Sequence, residues 1–245
     1  METPVLDYGS RGRIGLLLPS VNQAAEPQIR AMLPRDVGIA VTRLKLVDSS
    51  ELGLLSMTHD VEAAAALLAD AGVDLVVLHC TAVSTYSAEL EASILERIGV
   101  ATGLPATATS QSLVAALDAM RARRVVLLSP YTEEVNKRET AYFVRRGFDV
   151  LGNVGLNCST GREMMAVTPE AWQAFALSQV QTEAEAYVLS CTTVRTAEAI
   201  ESLECSLGSP VITSNSAVAW DCMRRLGISA VVPGYGRLLG HVAGH

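Results

Sequence analysis

The sequence predicts an α/β protein made of two similar lobes with parallel sheets, related by a pseudo-two-fold axis. Three observations carry this. Short apolar runs alternate with helix-like segments along the chain, the pattern of parallel strands covered on both faces. Two pairs of landmarks share one spacing: Pro19 and Pro130 lie 111 residues apart, and so do Cys80 and Cys191. The segment LPATATSQSLVAALDAM also resembles SPVITSNSAVAWDCM, with Pro105 against Pro210, so the similarity extends beyond isolated residues.

The elements follow in order. The run RIGLLL (13–18) is the first strand, 23–33 a helix, and GIAVTRLKL (38–46) a strand. VEAAAALLADAG is a helix ending at Gly72, with Asp60 as its cap. VDLVVLH is a short β-branched strand. A helix fits 86–98, a strand PATAT, and a helix 111–121. The pattern then restarts with the strand RRVVLLS, a helix over 132–146 and a strand near FDVLG. A glycine-rich polar loop spans NVGLNCSTGRE, and a helix follows from Pro169. The strand AYVLS, a helix near 193–206, the strand PVITS, the helix AVAWDCMRRLG and a last strand ISAVV complete the chain. A closed barrel needs about eight strand–helix units in about 250 residues. The two-copy symmetry favours two lobes instead.

Composition narrows the function. Of 245 residues, 49% are hydrophobic, enough for a sizeable core. The net charge of −7 and the lack of a basic tract or aromatic platform exclude nucleic acid as a partner. The apolar runs are too short to span a bilayer, and METPVLDYGS lacks the features of a signal peptide. A cytoplasmic protein is expected, assembled as a homodimer or higher homo-oligomer. No Walker, dinucleotide or serine-elbow signature occurs, and no metal or organic cofactor is expected. The four histidines are scattered, and only His79 adjoins a cysteine at a strand end. Neighbours in a strand point to opposite faces, so His79 reads as a packed or hydrogen-bonded residue.

Five cysteines have no CxxC spacing and read as free thiols. Cys205 and Cys222 fall in apolar helical patterns and read as packing residues, and Cys158 lies in a polar loop. Cys80 and Cys191 differ. Each ends an apolar strand and precedes a predicted helix, where binding sites of parallel sheets gather and free amides lower a thiol pKa. Across a pseudo-two-fold axis the two thiols face one another over a cleft.

These residues resemble the aspartate/glutamate racemase superfamily, in its branch of maleate cis–trans isomerases and arylmalonate decarboxylases. IGLLLPSVNQAAEPQI is similar to a maleate isomerase, with Asn22 at the asparagine of its pattern, and so is the pair LHCT and LSCT. SPYTEEVNKR, placing a family tyrosine at Tyr131, and WDCMRRLG with PGYGRLL are similar to the decarboxylase. The decarboxylase has glycine where this chain has Cys80, serine at Ala82 and glycine at Thr192. The resemblance implies two flavodoxin-like lobes, with the first at 1–115 completed by 212–245 and the second at 116–211. It implies no cofactor and an active site between the lobes.

The resemblance also implies cofactor-independent isomerisation of maleate or a related small unsaturated dicarboxylate. Cys80 would add to the alkene, and Cys191 would serve as proton donor and acceptor. Asn22, Tyr131, Asn157 and the amides of Thr81 and Thr192 would hold the developing enediolate. From the residues alone, Asn22 equally reads as a helix cap, Tyr131 as cover for a sheet edge and Asn157 as a turn residue. A racemase would use both thiols on a proton α to a carboxylate. A decarboxylase would need mainly Cys191, and a small-acid binding protein neither.

Overall fold

The computed structural model describes residues 6–46 and 50–240. Strands β1 (Arg13–Pro19), β2 (Gly38–Leu44), β3 (Leu75–Leu78) and β4 (Ala106–Ala108) form one sheet in the order β2-β1-β3-β4. Strands β5 (Arg124–Ser129), β6 (Asp149–Gly155), β7 (Ala186–Leu189) and β8 (Val211–Thr213) form a second, in the order β6-β5-β7-β8. Every pairing is parallel, and the two orders are the same order twice. The central strands are apolar on both faces because helices cover both. This is the duplicated, flavodoxin-like α/β architecture that the alternation and the shared spacing predict.

The strand order explains the landmarks. In each sheet the chain changes winding direction between the first and third strands, which opens a crevice at their carboxyl ends. Pro19 ends β1 and Cys80 follows β3 closely. Pro130 follows β5, and Cys191 follows β7 closely. The four duplicated residues therefore flank the two crevices.

The helices are α1 (Ala25–Ala31), α2 (Glu51–Ser56), α3 (Val61–Asp70), α4 (Thr81–Ser84), α5 (Ala88–Thr102) and α6 (Thr109–Ala119) in the first half. In the second are α7 (Glu133–Arg145), α8 (Gly161–Ala166), α9 (Pro169–Leu177), α10 (Ile200–Leu207), α11 (Ser214–Arg225) and α12 (Gly236–Gly240). Some expectations are corrected. ISAVV forms no strand: its Val232 amide bonds Leu239 O, and Val231 is half exposed. Asp60 sits at the start of α3 but accepts no capping bond through its side chain. The helix expected from 193 begins at Ala197 as a single 3₁₀ turn leading into α10, so Thr192–Arg195 stay a loop. Within NVGLNCSTGRE, the NVG extends β6, and GRE opens α8 through a capping box between Thr160 and Glu163. The buried face of α10 uses Ile200, Leu203 and the carboxylate-bearing Glu204, which leaves Cys205 exposed, whereas Cys222 is buried.

The two sheet-bearing halves of the chain meet along α6 and α11, which pack against each other, and α11 also touches α1. The second sheet runs through Thr213 before the chain enters α11. Beyond α11, Ser229 O accepts from Arg11, and α12 packs on α10 and β8. The seam is polar as well as apolar. Asn22 Nδ2 donates to Thr192 Oγ1 at 2.9 Å, and the hydroxyls of Thr81 and Ser214 bond at 2.9 Å. Asp221, fully buried, accepts from Ser112 of α6 and from Arg224 and Arg225.

A longer chain of bonds fixes the state of His79. Gln28 Nε2 donates to Val194 O, so Gln28 Oε1 is left to accept from Asn215 Nδ2. Asn215 Oδ1 is then an acceptor, and His79 Nε2, 2.9 Å away, must carry the hydrogen. Burial pushes the His79 pKa down to about 4, with the Asn215 bond opposing the shift. The unfolded chain therefore takes up the proton first as pH falls. Stability from this site is present above about pH 6.5 and is lost toward pH 4, approaching about 3 kcal/mol. His79→Gln removes that titration. Urea unfolding at pH 7 and pH 4.5 should show the gap between wild type and His79→Gln closing on acidification; a constant gap would clear the imidazole.

Candidate active site

Both crevices open into one cavity of about 310 Å³. Cys80, Tyr131 and Cys191 line it, with Thr192 and Thr193 beside them. Pro19, Val21, Leu46, Leu54, Ala82 and Met164 supply an apolar wall. Ser159, Thr160 and Arg162 come from the segment that opens α8. The cavity is thus built from the ends of β1, β3, β5 and β7 and closed by one loop–helix segment.

The cysteines differ in local geometry. Cys80 has extended backbone and precedes the single-turn helix α4. Cys191 has φ of 88°, a left-handed conformation that costs a non-glycine residue energy and persists only where its surroundings enforce it. It precedes a loop, so the predicted helix terminus is absent there. Instead Thr193 N points at Cys191 Sγ at 3.3 Å, and the Tyr131 phenol beside it also favours the ionised sulfur.

Burial outweighs these donors. It pushes the Cys80 pKa up to about 12, with the amides of Val83 and Ala82 pulling it down and charge on Cys191 adding to the rise. It pushes Cys191 up to about 11, where Tyr131 and Thr193 hold it lower than burial alone would. The expectation of thiols acidified by helix termini is therefore corrected: burial favours the neutral form of both. Burial likewise keeps Tyr131 a phenol, raised well above 10, and so a hydrogen-bond donor.

The other predicted residues divide. Asn22 is buried and does two things at once: Oδ1 caps the amides of Ala24 and Ala25, while Nδ2 reaches Thr192. The Thr81 side chain is turned into the seam toward Ser214 rather than into the cavity. Asn157 is exposed, has φ of 56° and lines a separate groove with Glu133 and Lys137. Its amide donates to Tyr131 O at 3.2 Å, so its backbone holds the tyrosine loop. Gly155 makes this packing possible, since a β-carbon there would collide with Tyr131 O and the Asn136 side chain.

Sequence reasoning missed Gln23, Ser159, Thr160, Arg162 and Met164 among the lining residues. A signal was present: Thr160 and Glu163 have the spacing of a capping box, which marks a helix start inside what reads as a polar loop. Arg162 is the charged side chain of the lining. Among the described residues no carboxylate pairs with it, because Glu163 folds back onto the amides of Ser159 and Thr160. Among the described residues no group of three or more His, Cys, Asp or Glu side chains is placed to hold a metal ion. No helix among them is long and apolar enough to cross a membrane.

Comparison with known proteins places this geometry. The arylmalonate decarboxylase family profile matches residues 14–239. A maleate isomerase of Nocardia farcinica is 29% identical, covering 93% of this chain and 95% of its own. An arylmalonate decarboxylase of Bordetella bronchiseptica is 30% identical, covering 95% and 98%. A solved Nocardia farcinica maleate cis–trans isomerase, a cysteine-to-serine mutant with a covalently bound succinylcysteine intermediate, superposes with a TM-score of 0.87 at 26% identity, covering 93% and 98%. The chain belongs to the arylmalonate decarboxylase family, in the branch of the aspartate/glutamate racemase superfamily that also holds the maleate isomerases.

Proposed function

We propose that this protein is a cofactor-independent cis–trans isomerase of maleate or a related small unsaturated dicarboxylate. The observation that carries the reading is the presence of two strand-end thiols, Cys80 and Cys191, in one cavity. A decarboxylase of this family needs the second thiol and has glycine at the first. An isomerase uses both. The succinylcysteine of the Nocardia relative is the adduct that addition of a cysteine to maleate forms.

The steps follow from the geometry. Cys80 sulfur bonds one alkene carbon as its proton passes to the Cys191 sulfur, and the π pair moves to the other carbon and its carboxylate. The enediolate so formed is held by donors that stay neutral: the Tyr131 phenol and the amide of Thr192. Cys191 gives its own proton to the carbanionic carbon as it takes up the one from Cys80, and both transfers reverse on elimination, so no proton is gained or lost overall. The former double bond rotates as a single bond. Expulsion of the sulfur restores the alkene in the trans form. Asn22 and Thr81 act here through the seam, by setting Thr192 and the turn after Cys80. Arg162, a lining residue without a carboxylate partner, receives the second carboxylate.

Cys80→Ser and Cys191→Ser should each lower kcat for maleate by at least ~100-fold while remaining folded. Cys205→Ser, on the exposed face of α10, should leave turnover unchanged. Product analysis with maleate, an arylmalonate and chiral amino acids in parallel decides the reaction class. Undiminished isomerisation by Cys80→Ser removes the nucleophile assignment, and decarboxylation without isomerisation moves the protein to the decarboxylases.

Arg162→Gln should raise KM for maleate about tenfold with a smaller change in kcat, the loss of about 1.4 kcal/mol of binding shared by ground and transition states. A KM equal to that of wild type would show that the second carboxylate is bound elsewhere.

A further inference from the structure

Behind Cys191 lies a buried carboxyl group that the reaction above does not use. Glu139, on the inner face of α7, is fully buried. Its Oε1 accepts from the hydroxyl of Ser190, the residue before Cys191. Its Oε2 is buried with no hydrogen-bond partner, and so is Oδ1 of Asn153, the polar side chain that faces it from β6. The Asn153 amide cannot be turned to help. Both its hydrogens are already placed, on Asn136 O and Thr140 Oγ1, each at 2.9 Å. Two buried acceptors left facing one another are both satisfied by one proton: a carboxylic acid Oε2–H donating to Asn153 Oδ1.

We propose that Glu139 is a positioning residue for Cys191, held as a neutral carboxylic acid that fixes Ser190 and, when it ionises, places a negative charge behind the thiol and keeps Cys191 protonated. The clause about Cys191 rests on the proposed function; the state of Glu139 does not.

The surroundings support the neutral form. The groups facing Glu139 are Ser190 after β7, Asn153 on β6, and the Tyr131 and Cys191 side chains, with Cys80 further across the cavity. None is a cation. Lys137 and Arg138 on the same helix are committed to Glu133, Glu134 and Glu51. Burial pushes the Glu139 pKa up to about 7. Its charge, once formed, raises both Cys191 and Tyr131. Cys80 has no such neighbour: the residue before it is the neutral His79, bonded to Thr109 and Asn215.

The sign of the linkage is the reverse of the ordinary carboxylate case. The unfolded chain loses this proton near pH 4.5 and the folded protein near pH 7, so stability falls as pH rises between them. Glu139→Gln places an amide donor where the acid has its hydroxyl, and it cannot ionise. Its stability relative to wild type should therefore grow from pH 5 to pH 8, read as a widening gap in urea midpoint. Comparison with wild type at each pH cancels His79, which is common to both proteins.

Alkylation of Cys191 by iodoacetamide, resolved from Cys80 by peptide mass spectrometry, tests the second half. The Glu139→Gln to wild-type rate ratio should rise by at least about threefold between pH 6 and pH 8.5, as charge forms in wild type only. A wild-type infrared band for a buried protonated carboxyl at pH 6, lost by pH 8.5, is expected even if the variant folds poorly. A constant rate ratio with parallel stability curves, or absence of that band at pH 6, overturns the proposal. None of these measurements uses maleate turnover. They stand or fall separately from the isomerase assignment.

Discussion

The polar seam between the lobes is the constraint on which the site depends. Two strand-end thiols, one from each half of a duplicated chain, act together only if the halves hold a fixed distance and angle. Apolar contact between α6 and α11 supplies affinity but little direction. The bonds Asn22–Thr192, Thr81–Ser214 and His79–Asn215–Gln28 supply direction, and each attaches within two residues of a cavity thiol or a crevice loop. They are buried, so breaking one leaves unpaired groups rather than solvated ones. That asymmetry makes the inter-lobe geometry a single well-defined state.

Desolvation then governs the chemistry. An exposed thiol ionises within reach of neutral pH. Here burial drives both well above it, although Tyr131 and Thr193 partly restrain Cys191. Burial that favours the neutral thiols lowers their reactivity toward oxidants and alkylating agents, because the thiolate is the reactive form. In the reaction proposed here, proton loss from Cys80 is therefore coupled to bond formation with the substrate. The donors near the alkene stay neutral for the same reason, and so they can follow charge as it moves from sulfur to carbon to carboxylate without binding any one form too tightly.

Much of the fold was legible because duplication and alternation act over many residues. The repeated spacing of Pro19 with Pro130 and Cys80 with Cys191 marked two crevices before any coordinates. Local features were harder. ISAVV has the composition of a strand, but β8 carries no partner for it and its Val232 amide is taken by Leu239. The stretch after Cys191 has a helical composition, yet the left-handed turn at Cys191 delays the helix to Ala197. Asn157 lies in a polar loop in sequence and on the wrong side of that loop in space, where only its backbone supports Tyr131. Arg162 and Glu139 were invisible for opposite reasons. One sits among exposed charges and matters through a missing partner; the other sits in an ordinary amphipathic helix and matters through a contact at Ser190.

The residues before the two thiols show how a duplicated site became asymmetric. His79 and Ser190 occupy equivalent places, and each is tied to a buried polar network. The network behind Cys80 ends in an imidazole that burial keeps neutral, and the one behind Cys191 ends in Glu139. A cation behind Cys80 would stabilise its thiolate, easing its departure from the adduct but weakening its attack on the alkene. A neutral imidazole avoids this and still fixes the turn. The substrate proposed here carries two carboxylates of its own, so a buried charge of either sign behind the thiols would alter binding and reactivity together. While Glu139 is protonated the floor of the cavity is accordingly polar but uncharged, and the charged side chain of the lining, Arg162, comes from the segment that opens α8 rather than from a strand end.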